Sequence, residues 1–181
     1  RLLKDLCAQD YPKDKIELVF ADGCSRDGTR AMLERFAQEE NGFRQVVILE
    51  NKKVWLASAN NLIIENFTGD ALIKVDAHAS PPPDFISSCA RRLESEKVCG
   101  GLRPCITDSD APAKRLLLTA ESSMFGSGFA IYRRAEKPGY VSSVFHIACR
   151  REVFEKTGGY NETLRRTEDN EFSYRLRQNG Y

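Results

Sequence analysis

The feature that most restricts the fold is an alternation of short β-rich runs with amphipathic helical stretches through residue 102. Residues 16–21 form a β-rich run that stops at the turn-forming Asp22-Gly23. Residues 29–40 read as a helix, with Met32, Leu33, Phe36 and Ala37 at i, i+3, i+4 spacing and Asn41-Gly42 to end it. Residues 45–49 read as a second strand and 57–67 as a second helix. After the turn Thr68-Gly69-Asp70, residues 71–75 are a third, almost wholly apolar strand. Pro81-Pro82-Pro83 is expected to open a helix running to about residue 93, because proline is tolerated in a first helical turn. Residues 98–102 read as a fourth strand. Chains that alternate in this way fold as α/β domains around a mainly parallel sheet. Such sheets bind ligands beyond the carboxyl ends of their strands, and Asp22 and Asp76 fall at two of those ends.

The second half is less regular. Residues 107–112 read as a polar loop, and 125–129 as a flexible turn leading into a strand over 130–133. Residues 140–148 look extended, 150–157 form a short helix ended by Gly158-Gly159, and a final helix spans about 168–178. No repeat, low-complexity segment or linker divides the chain. A length of 181 residues suits one domain, and 41% hydrophobic with 29% charged residues is the balance of a soluble globular protein. A net charge of +1 supplies no global field for nucleic acid or an anionic membrane, so any anion must be held by local chemistry. Cys7, Cys24, Cys89, Cys99, Cys105 and Cys149 form no CxxC pair and no zinc-ligand spacing, and most lie among apolar neighbours. They read as reduced thiols of a cytosolic protein. No apolar run approaches the ~20 residues that a membrane span needs. The chain opens at Arg1 and stops at Tyr181 without capping sequences, and is expected to be a piece of something longer that could carry an anchor elsewhere.

Three segments carry candidate chemistry. Asp76-Ala77-His78 sets two metal-ligand types two residues apart, just past a buried strand. A carboxylate oxygen with an imidazole nitrogen suits Mn²⁺ better than Mg²⁺, which prefers oxygen alone. The same residues would also serve a strand-end turn with a partly buried histidine. Asp22-Gly23-Cys24-Ser25-Arg26-Asp27-Gly28-Thr29 offers a carboxylate, hydroxyls and backbone N–H groups before a helix, which could hold a nucleoside. It would equally cap that helix through Ser25 or Asp27. Thr167-Glu168-Asp169-Asn170-Glu171 opens the last helix, with Thr167 as its N-cap and Glu171–Arg175 as an i,i+4 ion pair. The helix dipole favours negative charge there, which a general base must carry.

Together, the segments resemble family 2 glycosyltransferases of the GT-A fold, a Rossmann-like architecture. The matching phrases are Gln9-Asp10-Tyr11-Pro12, the Phe20-to-Thr29 run, Lys74-Val75-Asp76-Ala77-His78 and Thr167-Glu168-Asp169, in order along nearly the whole chain. Closer in look are the succinoglycan-biosynthesis glucosyltransferases. They too use Asp-Ala-His, a Gly-x-Gly-then-Arg segment (here Gly126-Ser127-Gly128 to Arg133), and Glu-Asp before a helix with Tyr-Arg-x-Arg (here Tyr174 to Arg177). The resemblance implies that Asp22 contacts the base or ribose, with Ser25 beside it. It implies that Asp76 and His78 hold a divalent metal, Mn²⁺ favoured, and the donor diphosphate. Asp169 would be the general base, and Glu168 would shape the acceptor site. Residues 1–103 would then bind the nucleotide sugar and 104–181 the acceptor. The reaction would be an inverting hexose transfer from a UDP-sugar, UDP-glucose favoured, to a glycan or polyprenyl-linked oligosaccharide in bacterial exopolysaccharide biosynthesis. It would run in the cytoplasm, at the inner membrane face if the whole protein is anchored.

His146 is a further candidate if its extended run faces the cleft; a structural role fits it equally. Trp55, the sole tryptophan, reads as core, with stacking on base or sugar as the alternative. Two departures from the family stand out. The family's first strand is absent, which removes a central member of the sheet, and His78 replaces an aspartate. Three rival readings remain. A nucleotidyltransferase would want a glycine-rich phosphate loop, a dinucleotide-binding dehydrogenase a GxGxxG after a strand, and neither motif is present. An inactive glycan- or partner-binding module is opposed by the intact Asp76 and Asp169.

Overall fold

The computed structural model describes residues 1–39, 41–101, 107, 109–123 and 139–181. Cys105, the strand expected over 130–133 and the segment from Gly126 to Arg133 lie outside the described residues.

Two ladders carry the strands. Strands β1 (Glu17–Asp22) and β2 (Gln45–Glu50) pair in parallel, from Glu17 opposite Gln45 to Asp22 opposite Glu50. Parallel neighbours need a crossover, and helix α2 (Thr29–Gln38) supplies it, burying Leu33 and Phe36. Helix α3 (Leu56–Asn66) packs back against β1. In the second ladder β5 (Phe145–Arg150) runs antiparallel between β3 (Ala71–Ile73) and β4 (Val98–Gly101). β3 and β4 therefore share one direction, and the late extended segment is inserted between them. Among the described residues no backbone ladder joins the two sets. Side chains do: Glu17 Oε2 accepts from the Thr68 amide at 2.7 Å, and Val19 and Leu72 pack on one apolar cluster.

Several boundaries differ from the sequence pattern. Helix α4 (Phe85–Ser95) starts beyond the three prolines, not within them. The buried Gln9 is the reason: its amide donates to the Pro82 carbonyl at 2.8 Å and its carbonyl accepts from the Ile86 N–H at 3.0 Å. One side chain thus holds the proline segment and satisfies a first-turn amide of α4. Two short helices gave no periodic signal, α1 (Leu2–Cys7), which buries only Leu6, and a 3₁₀ turn at Lys13–Lys15. A further helix, α5 (Pro112–Ser122), follows the expected polar loop, with Leu116 and Leu117 exposed. The short apolar ladders of β3 and β4 are covered by Phe85, Cys89 and Leu93 of α4.

The largest core joins β5 to the last two helices, α6 (Arg151–Thr157) and α7 (Glu168–Gln178). Phe172 of α7, only 1% exposed, stacks on Tyr160 at 4.5 Å between centroids and on Phe154 at 6.0 Å. Arg175 fastens the same helix: it donates to Glu171, as its i,i+4 spacing required, and to the carbonyls of Thr157 at 2.7 Å and Gly159 at 2.6 Å. The turn between α6 and α7 needs its glycines. Gly158 has φ +80°, and a Cβ on Gly159 would stand 2.4 Å from Asn61 Oδ1. That oxygen accepts from the Tyr160 N–H at 2.6 Å, so α3 grips the turn directly.

Replacing Phe172 by alanine removes this anchor. The expected loss is about 3–5 kcal/mol of folding free energy, as for other fully buried phenylalanines. Guanidinium unfolding measures it, and a loss under about 1 kcal/mol, the scale of a mild volume-conserving core swap, would assign the position of α7 to other contacts.

Candidate active site

Asp22 ends β1 and is 5% exposed. Its carboxylate accepts from the Ser25 backbone N–H at 3.3–3.4 Å, so Ser25 contributes its amide here while its side chain stays exposed. The helix-capping alternative falls to Asp27, whose carboxylate accepts from the Thr29 N–H at 3.2 Å and hydroxyl at 2.7 Å. The loop after β2 packs against this turn. Asn51 donates its N–H to the Asp22 carbonyl at 2.7 Å, and its side chain links the Trp55 carbonyl and the Ser58 hydroxyl. Gly23 faces Val54 at ordinary contact distance, 3.7 Å from where a Cβ would stand. Cys24 and Val54 both hold left-handed backbone, at φ +62° and +69°. For a β-branched valine that conformation is strained and must be imposed by its surroundings.

Asp76-Ala77-His78-Ala79 is a tight turn, closed by the Ala79 N–H on the Asp76 carbonyl at 2.9 Å. His78 is exposed. The Asp76 carboxylate, 16% exposed, pairs with Lys74 at 3.0 Å. The Asp76 N–H points to His146 Nε2 at 3.4 Å, so the extended run does bring His146 to this strand end. There its backbone is left-handed, at φ +49°, and its ring packs edge-on to Phe85. Among the described residues no three His, Cys, Asp or Glu side chains converge as a metal cage. The donor set of Asp76 and His78 fits a cation only if other oxygens, such as those of a diphosphate and water, complete its shell.

Glu168 and Asp169 open α7. Glu168 is buried and Asp169 exposed, with its carboxylate accepting its neighbour's N–H at 2.8 Å. Thr167 occupies the N-cap position, but its hydroxyl makes no capping bond and its φ is +62°. Tyr160, buried against Phe172, lies in the same core. Burial pushes its phenol up from the ordinary value, and the acidic groups Asp169, Glu168 and Asp76 push it in the same direction.

Trp55 is not core: it is 48% exposed, because it stands just before α3 where the first buried residue is Ala57. Its ring carries the Arg165 guanidinium at 3.8 Å from the centroid. Lys53–Glu162 at 2.6 Å and Asn61–Glu162 at 3.0 Å reinforce that seam between the β2–α3 loop and the approach to α7. Sequence reading missed this pairing, since nothing in spacing joins residue 55 to residue 165.

Residues 1–158 match the family model described as Glycosyl transferase family 2. The succinoglycan biosynthesis protein ExoA of Rhizobium meliloti (strain 1021) is 32% identical over 169 residues, 91% of this chain and 49% of that protein. The chain thus spans about half the length of that relative. Among solved structures, TarS of S. aureus in complex with UDP superposes with a TM-score of 0.70 at 16% identity, covering 97% of this chain and 49% of that one. The mannosyltransferase PcManGT of Pyrobaculum calidifontis, in complex with GDP-Man and Mn²⁺, gives 0.70 at 24% identity, covering 99% and 48%. The fold is GT-A, as the motifs implied.

The stack on the sole tryptophan is directly observable. Arg165→Ala should raise acrylamide quenching of Trp55 fluorescence in the folded chain; unchanged quenching would mean that the guanidinium does not cover the ring.

Proposed function

The chain belongs to glycosyl transferase family 2, and on that premise we propose that it transfers a hexose, with inversion, from a UDP-sugar to a glycan or polyprenyl-linked oligosaccharide. UDP-glucose is the donor this reading favours, and bacterial exopolysaccharide synthesis the setting. Residues 1–103 hold the nucleotide sugar and 104–181 the acceptor side. The reading is supported above all by the family match over residues 1–158, together with Asp22 at the end of β1, Asp76 in the turn after β3, and Glu168 and Asp169 opening α7. The related succinoglycan protein and the UDP and GDP-Man complexes of the structural neighbours point the same way.

In this mechanism Asp22 accepts hydrogen bonds from the base or ribose, beside the strained backbone of Cys24 and Val54. The Asp76 turn meets the diphosphate, with Lys74 paired to the Asp76 carboxylate at 3.0 Å. Asp76 and His78 would hold a divalent cation, Mn²⁺ favoured, whose charge offsets that growing on the leaving diphosphate. Asp169, exposed at the start of α7, removes the proton of the acceptor hydroxyl as its oxygen attacks the anomeric carbon. The bond from that carbon to the diphosphate oxygen breaks on the opposite face, which inverts the centre. Glu168 is too buried to meet a bulky acceptor freely and shapes the wall of the acceptor site. His146 holds the backbone of Asp76 and so positions the turn.

Two substitutions separate these roles. Asp169→Asn should abolish transfer while leaving UDP affinity within a few-fold, and Asp76→Ala should abolish the Mn²⁺-dependent part of UDP binding. Calorimetry and a released-UDP assay read both. Loss of UDP binding in the first variant, or unchanged Mn²⁺ dependence in the second, would overturn the assignment concerned.

A further inference from the structure

Resting on the glycosyl-transfer reading, we infer that Arg165, laid flat on Trp55, is the cation that grips the donor's diphosphate from the protein side. The stack joins two particular places. Trp55 belongs to the loop that packs on the Asp22–Gly23 turn, where the nucleoside is held. Arg165 precedes Glu168 and Asp169 by three and four residues, where the sugar must react. The group of the donor that spans from nucleoside to sugar is the diphosphate, so a ligand stretched between those places passes this seam.

Two nearby lysines are already paired. Lys74 pairs with Asp76 at 3.0 Å and Lys53 with Glu162 at 2.6 Å. Among the described residues no carboxylate stands within ion-pair distance of Arg165, which is exposed and has the indole ring as its partner. Stacking leaves the planar edge of a guanidinium, with its N–H donors, open for bidentate hydrogen bonds to phosphate oxygens. It also fixes the plane before the ligand arrives, so little side-chain entropy is lost on binding. The Trp55 loop is held rigidly for this purpose: its carbonyl accepts from both Asn51 Nδ2 at 3.0 Å and Ser58 Oγ at 2.8 Å, and Val54 before it is strained. A diphosphate is anionic, and the candidate residues Asp22, Asp76, Glu168 and Asp169 are all acids, so a donor site built from them needs positive charge.

The test compares UDP and GDP, UMP and GMP, uridine and guanosine by calorimetry with Mn²⁺, on the natural full-length chain. Arg165→Gln should weaken binding of the nucleoside diphosphate about tenfold or more, as for a lost charged hydrogen bond, and leave the bare nucleoside unchanged. Trp55→Leu, which keeps Arg165 but frees its plane, should give the same pattern more weakly. Arg165→Lys, which keeps charge without the fork, should fall between. Circular dichroism melting confirms that each variant is folded. Equal weakening of diphosphate and nucleoside would make the seam a structural clasp only, and unchanged diphosphate affinity would remove Arg165 from the donor site; either overturns the inference. A wild-type chain that binds neither UDP nor GDP would instead overturn the glycosyl-transfer reading on which it rests.

Discussion

The candidate site exists because one helix is held in one place. Nothing in the backbone ladder positions the start of α7, which is fixed by Phe172 between Tyr160 and Phe154 and by Arg175 across the α6–α7 turn. Phe172 lies three to four residues from Asp169 and Glu168, one helical turn, so the stack that buries it also points both acids. The other half of the arrangement is β5, which pairs with β3 and shares the core with Phe172 through Ile147 and Cys149. Strand end and helix start are thus two outputs of one apolar cluster, and a disturbance of the cluster would be felt at both acids.

Around this frame the loops are under local constraint. Four non-glycine residues, Cys24, Val54, His146 and Thr167, hold left-handed backbone. They follow β1, follow β2, begin β5 and precede α7. Such conformations cost of order 1–3 kcal/mol each and persist only where the surroundings determine them. The hydrogen bonds of Asn51, Ser58 and Asn61 are those surroundings on the α3 side. The site is a preorganised rim on a rigid base, which suits a reaction driven by orientation and charge placement.

The parts legible in the sequence were those with a local signal. Strands β1 to β4, helices α2, α3 and α6, and the acids at strand and helix ends follow from period, turn residues and end signals. The Glu171–Arg175 pair was readable from spacing alone. What failed had a tertiary cause. α4 starts late because Gln9, distant in sequence, holds the prolines; β5 enters its ladder antiparallel, which no local pattern encodes. Trp55 looked like core because it is large and apolar, yet a partner 110 residues away gives it a surface role. The resemblance placed Asp22, Asp76 and Asp169 in order along the chain, while the shared core of α7 and β5 had no signal in the sequence.

The account stands on a cation bound at the end of β3 and a base one sugar away. The direct measurement is a crystal of the chain with Mn²⁺ and UDP, with anomalous data collected at the manganese edge. The account predicts an anomalous peak beside the Asp76 carboxylate, with the Asp169 carboxylate facing it across a gap the width of a hexose ring. A peak elsewhere, or an Asp169 carboxylate directed away from that gap, would contradict it.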